Sequence, residues 1–126
     1  MTEYTEYISE PWFTLIKLRI KKCEGRINKD NFRKMKEGDI IKFTNNDFGK
    51  ERSCMVEIRF RRFYNTFKEL LLHETLDNCL PGIDSIDEGL NVYYIQNYID
   101  ENKTLVYPLQ IVAMGIKLID KDDYLA

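Results

Sequence analysis

The chain has little of what disulfide, zinc or histidine chemistry requires. It carries three cysteines, Cys23, Cys54 and Cys79, with no C-x-x-C pair, and a single histidine, His73, in 126 residues. An odd number of widely spaced cysteines argues against a disulfide framework, and one histidine argues against a structural zinc site. The cysteines are expected as small core residues, the usual fate of a free thiol. His73 has no partner residues around it and is assigned no role. No apolar run approaches the ~18 residues of a membrane span. The start of the chain, with Glu3, Glu6 and Glu10 among tyrosines, lacks the basic and apolar stretches of a secretory signal. The expectation is an intracellular, cytoplasmic protein with no metal, no cofactor and no membrane partner. Internal repeats, low-complexity tracts and Pro/Gly/Ser linkers are also missing, so residues 1–126 should form a single domain.

What is present is an ordinary globular composition, 44% hydrophobic and 32% charged, with a net charge of −2. That small total conceals an asymmetry. Sixteen of the nineteen Lys and Arg residues fall between Lys17 and Lys68, whereas residues 69–126 hold three basic and eleven acidic side chains. Unless folding interleaves the two halves, the molecule is two-faced, with a basic side able to collect a polyanion.

Periodicity and turn chemistry place the elements. Pro11, after Ser9 and Glu10, opens a helix whose apolar residues are Trp12, Phe13, Leu15 and Ile16, ending near Lys21. A strand from Glu24 to Ile27 follows, then a basic loop from Asn28 to Lys36 and a turn at Glu37-Gly38-Asp39. Ile40 to Thr44 forms a strand, and Asn45-Asn46-Asp47-Phe48-Gly49 reads as a hairpin turn. In the next strand, Cys54 to Phe63, Val56, Ile58 and Phe60 alternate with Glu57, Arg59 and Arg61, leaving a basic far face. Thr66-Phe67-Lys68-Glu69 and Ser85-Ile86-Asp87-Glu88 both fit capping boxes, separated by the break Leu80-Pro81-Gly82. The first helix buries Phe67, Leu70 and Leu71; the second carries Ile86, Leu90, Tyr93 and Tyr94 towards Tyr98. A last strand from about Val106 to Ile119 lines one face with Val112, Met114, Ile116 and Leu118, with Pro108 near its start. These elements predict an α+β chain whose mixed sheet closes into a small barrel.

The segment Lys21-Lys22-Cys23-Glu24-Gly25-Arg26 carries the chemistry, because nothing about folding requires charges of both signs crowded beside an apolar stretch. In a strand, Cys23, Gly25 and Ile27 share one face and Glu24 and Arg26 the other. The apolar set can face a core and leave carboxylate and guanidinium side by side. Strict alternation pairs Lys22 with Glu24, so a place for Lys21 in the group requires it to sit in the preceding turn, outside the strand register. Arg is a planar fork of donors suited to phosphate or carboxylate, and Lys is a point charge or, with a lowered pKa, a base. The competing reading is an exposed ion pair on a strand edge.

The order of motifs resembles one family. A helix, Lys21-x-x-Glu24-Gly25-Arg26, Lys36-Glu37-Gly38-Asp39-Ile40-Ile41, Phe67-Lys68-Glu69-Leu70-Leu71, Leu80-Pro81-Gly82, Ser85-Ile86-Asp87-Glu88-Gly89 and Val92-Tyr93 follow one another as in the ASCH domain family of the PUA-like superfamily. The likeness covers about residues 10–119. It implies a small PUA-like β-barrel of mixed, mainly antiparallel strands with peripheral helices, and a cleft bearing the Lys/Arg motif, in a superfamily used widely for RNA binding and RNA modification. The family's Gly-x-Lys-x-x-x-x-Arg keeps its lysine at Lys21 and its arginine at Arg26, but its glycine position is Arg19. A bacterial branch hydrolyses acetylcytidine with a lysine, a threonine and a glutamate; its lysine falls on Lys21, its threonine on Glu24, and its glutamate has no secure counterpart here. Other relatives are ribonucleases.

The leading functional expectation is an RNA- or nucleotide-binding module with no cofactor. Lys21, Glu24 and Arg26 line the cleft, and Arg59, Arg61 and Arg62 track a backbone. Phe63 and Tyr64, beside those arginines, are able to stack a base, but strand aromatics such as Phe60 and Phe63 usually pack inward, so Tyr64 is the ligand-facing candidate. The alternative is an enzyme, either a hydrolase acting on a modified nucleoside or a metal-independent ribonuclease, with Lys21 and Glu24 as its catalytic groups. A third class is an interaction protein docking a basic partner through its acidic half, the short tail Asp120–Tyr124 being only solvated.

Overall fold

A computed structural model describes residues 1–96 and 110–119, with side chains of the last helix described to Tyr93. The expectations for Tyr94, Tyr98, Val106, Pro108 and the tail from Asp120 lie outside the described residues. The elements are β1 (Glu3–Tyr7), α1 (Trp12–Lys17), β2 (Cys23–Ile27), α2 (Asn31–Lys34), β3 (Ile40–Asn45), β4 (Arg52–Tyr64), α3 (Phe67–Glu74), α4 (Leu76–Cys79), α5 (Ile86–Gln96) and β5 (Ile111–Ile119). The strands form one mixed sheet in the order β1-β3-β4-β5-β2. β1 pairs in parallel with β3, and every other pairing is antiparallel. The edge strands β1 and β2 are joined by a side chain, since Arg26 Nη2 donates to the Tyr7 carbonyl at 2.9 Å. The sheet is a curled half-barrel in a small α+β fold.

Local chemistry explains most element boundaries. Pro11 offers no side-chain cap to α1. The carboxylate of Glu10 does that work, accepting from Thr14 N at 2.9 Å and from Thr14 Oγ1 at 2.7 Å. The helix stops at Lys17, four residues short of the expected end. There Arg19 takes φ +64°, and the amides of Ile20 and Lys21 both turn back to the Leu15 carbonyl. The left-handed position is held by Arg19, and the turn is made without a glycine. At α3, Thr66 Oγ1 accepts from Glu69 N as the capping box requires. Glu69 Oε2 reaches back one residue further than expected, to the Asn65 amide at 3.1 Å.

The strongest departure from simple alternation concerns which faces are covered. β2 reads buried at Cys23, Glu24, Gly25 and Ile27, and β5 is buried at every residue from Ile111 to Ile116. One face of these strands meets the helices: a Cβ on Gly25 would lie 2.9 Å from Leu70 of α3 and 3.3 Å from the Tyr93 hydroxyl of α5. The other is enclosed by the curl of the sheet and by Trp12, Phe13, Phe32 and Met35 of the first half of the chain. Burial on both faces replaces alternation by near-continuous apolar runs. In β4 the register slips by one residue at Arg59, so that Ile58 faces Ile116 and Phe60 faces Gly115. The Phe60 ring occupies the space that a Cβ on Gly115 would need. Downstream of this bulge, Phe63 is 47% exposed rather than core, and Tyr64 is half-buried.

Candidate functional site

The turn after α1 and the first residues of β2 bring Lys21, Glu24 and Arg26 together. Lys21 lies outside the strand, and its ammonium sits 3.1 Å from Glu24 Oε1; the other carboxylate oxygen, Oε2, accepts from Arg26 Nε at 2.6 Å. Lys21 is 2% exposed and Glu24 6%. The remaining donors of Lys21 go to the Cys23 carbonyl at 2.7 Å and to the Cys79 carbonyl at the end of α4. Each N–H of the ammonium therefore has an acceptor, and beneath it lies the Trp12 ring, 5.7 Å away. Burial pushes the Glu24 carboxyl pKa upward, but Lys21 and Arg26 outweigh it and hold the group below its ordinary value. Glu24 is a fixed anion between two cations.

Arg26 is the member that reaches the surface, its side chain 20% exposed. Its Nε is held by Glu24 and its Nη2 by Tyr7 O, and its guanidinium lies 5.0 Å from the centroid of Phe32 and 5.9 Å from that of Phe43. This is a rigid presentation: two hydrogen bonds and two rings set the orientation of a guanidinium that remains partly exposed.

The other arginines of the expected site are each engaged by groups other than Glu24. Arg61 spends its guanidinium on the carbonyls of Met35 and Phe32, the latter at 2.6 Å, so it ties α2 to β4. Arg62 pairs with Glu74 at 2.7 Å and lies over the Phe60 ring. Arg59 pairs with Glu57 at 3.4 Å and lines an open groove of about 600 Å³ with Ile40, Met55, Lys117 and Ile119, away from Arg26. Tyr64, the expected platform, donates its hydroxyl to Glu74 at 2.5 Å, and its ring stacks on His73. Burial and Glu74 push its phenol up to about 12.

Glu74 is the residue that sequence reasoning missed. It is 5% exposed, held by Arg62 and Tyr64. The signal was available: Phe67, Leu70, Leu71 and Glu74 follow the i, i+3, i+4, i+7 spacing of the apolar stripe, so Glu74 stands where a core residue belongs. All three thiols are buried. Contact with Cys79 and burial raise the Cys23 pKa far above the ordinary thiol value, and burial pushes Cys54 up to about 11. Among the described residues no group of His, Cys, Asp and Glu is arranged to hold a metal ion, and no helix is long and apolar enough to cross a membrane.

Comparison with known proteins agrees with this architecture. The hypothetical protein PH0355, known from a crystal structure, is 36% identical, with a TM-score of 0.76 over 94% of this chain and 100% of that one. Protein PF0455 from Pyrococcus furiosus, known from a solution NMR structure, is 39% identical, with a TM-score of 0.68 over 94% of this chain and 99% of that one. The crystal structure of an ASCH domain from Lactobacillus crispatus JV V101 is 15% identical, with a TM-score of 0.56 over 93% of this chain and 79% of that one, a likeness of fold alone. No curated protein matches. The model of the ASCH domain matches residues 7–114, from β1 through the Lys21–Glu24–Arg26 group and into β5, and the chain belongs to the ASCH domain family.

Proposed function

We propose that this protein is an RNA- or nucleotide-binding module in which Arg26 contacts a phosphate or a base edge. The observation that carries the reading is the state of its guanidinium: fixed at Nε by a charged Glu24, fixed at Nη2 by Tyr7, flanked by Phe32 and Phe43, and presented at the surface. A donor fork whose rotamer is already set loses little freedom on binding, and an anion or a carbonyl is its natural partner. ASCH domains belong to a superfamily widely used for RNA binding, which gives the same ligand class from a separate direction. Lys21 takes a supporting role in this reading, because its donors are spent on Glu24 and two backbone carbonyls. The enzyme readings fare less well for the same reason. A base at Glu24 must accept a proton while held between two cations, which disfavours its protonated form.

The test is titration of a labelled single-stranded oligoribonucleotide at rising salt. Affinity should fall steeply with ionic strength, as release of counter-ions demands. Arg26→Ala should weaken binding about tenfold at fixed salt, and Arg26→Lys should recover only part, having lost the fork. Absence of binding by the wild-type protein at low salt, or an Arg26→Ala protein that binds unchanged, overturns the proposal.

A further inference from the structure

Phe63 is the largest side chain on β4 whose exposure the fold leaves unexplained, at 47%. Its position in the sheet relates it to Arg26. Arg26 of β2 pairs with Val112 of β5, and Val112 pairs with Phe63 of β4, so the three form one cross-strand row. Residues directly opposite one another share a face, which puts Arg26 and Phe63 on the same side, two strand spacings or about 10 Å apart. They are also linked through contacts. The guanidinium of Arg26 lies against Phe32, the Phe32 carbonyl accepts from Arg61 at 2.6 Å, and the Arg61 guanidinium lies 5.3 Å from the Phe63 centroid. Guanidinium and ring thus alternate along one strip: Arg26, Phe32, Arg61, Phe63.

We infer that Phe63 is the stacking platform for a nucleobase of a single-stranded RNA whose backbone is engaged at Arg26. The inference rests on the function proposed above and adds the ligand's strandedness and the residue that reads it. A nucleic acid strand alternates a flat π-face with an anion, and here an exposed ring, Phe63, shares a sheet face with a surface guanidinium, Arg26, with Phe32 buried between them. Arg61 contributes a positive charge beside the ring while its Nη1 and Nη2 are held by Met35 and Phe32 and its Nε is buried, so it orients the platform rather than competing for phosphate. An unstacked base is needed, because bases inside a duplex have no free face to offer. Tyr64, the neighbouring aromatic, is already engaged through its hydroxyl by Glu74 and through its ring by His73.

The experiment uses the full chain and two fluorescein-labelled oligoribonucleotides of one length, one with all its bases and one abasic throughout, with binding followed by anisotropy. Phe63→Leu should lose about tenfold in affinity for the base-bearing strand, the scale of one aromatic stacking contact, and less than about twofold for the abasic one. Phe63→Trp should bind the base-bearing strand at least as tightly as wild type. A 2-aminopurine in that strand should be quenched on binding to wild type and to Phe63→Trp, and not to Phe63→Leu. Thermal melting of each variant verifies folding, which an exposed position should permit. If Phe63→Leu binds both strands like wild type, or weakens both equally, the platform is refuted, while loss of binding in Arg26→Ala leaves the function proposed above standing. If wild type binds neither strand, both fall.

Discussion

Lys21 Nζ and Glu24 Oε1 lie 3.1 Å apart with both side chains out of water, and the second oxygen of the same carboxylate holds Arg26. This pair converts a buried charge into the fixed anchor of a surface arginine. Removing one partner leaves the other uncompensated in a low-dielectric site, a change that typically costs about 3–5 kcal/mol.

Glu24→Gln should therefore lower the unfolding free energy by about 3 kcal/mol in urea titrations. The same residue gives a pH dependence of definite sign. Its carboxyl pKa is depressed in the folded state, so its contribution is complete above the unfolded value near 4.5 and is lost as pH falls through the folded value. Wild-type stability should decline on acidification below about pH 4.5, and Glu24→Gln should flatten that acid limb. An acid limb of equal slope in the two proteins counts against Glu24 as its source.

Arg19 at φ +64° occupies a conformation that costs a non-glycine residue about 1 kcal/mol. Glycine relieves that strain but loses the bond from Arg19 Nη1 to the Leu118 carbonyl at 3.1 Å and loosens the unfolded chain. Arg19→Gly should thus change stability by less than about 1 kcal/mol, whereas Arg19→Val, β-branched at positive φ, should destabilise by about 1–2 kcal/mol. Thermal melts of the two variants decide this. Equal melting temperatures would sink the strain argument.

Arg59 and Arg61 are separated by one residue and should behave differently. Arg61→Ala removes donors from two half-buried carbonyls, Phe32 in α2 and Met35 just after it, and should lower stability by about 1–3 kcal/mol. Arg59→Ala breaks only an exposed pair with Glu57 and should leave stability within about 0.5 kcal/mol of wild type. Chemical denaturation of both proteins checks the contrast.

Acetylcytidine should not be turned over by the wild-type protein. Glu24 is locked between Lys21 and Arg26 and has no hydroxyl nucleophile to offer. Chromatography of an incubation should detect no cytidine. Turnover that Lys21→Ala abolishes would establish the hydrolase instead.

Much of the fold was legible because it is written locally. The capping hydroxyls of Thr66 and Ser85, the turn at Gly38, the apolar stripe Phe67-Leu70-Leu71 and the alternation from Cys54 to Ile58 each depend on residues a few positions apart, and motif order identified the family. The meeting of Glu24 and Arg26 was equally local, since a strand of period two sets them side by side. Three things escaped. β1 was invisible because its pairing with β3 joins residues far apart in the chain, and Glu74 was passed over although it occupied an apolar position of its helix. Phe63 was expected inward because strand aromatics usually pack inward, and its exposure, like the contact of Tyr64 with Glu74, depends on which distant segments cover each face of β4. Sequence alone determined which charges stand together at Lys21, Glu24 and Arg26. Only the tertiary structure decided that Lys21 and Glu24 are buried and Arg26 presented, because the curl of the sheet and the α4 carbonyl that close over them come from segments distant in the chain.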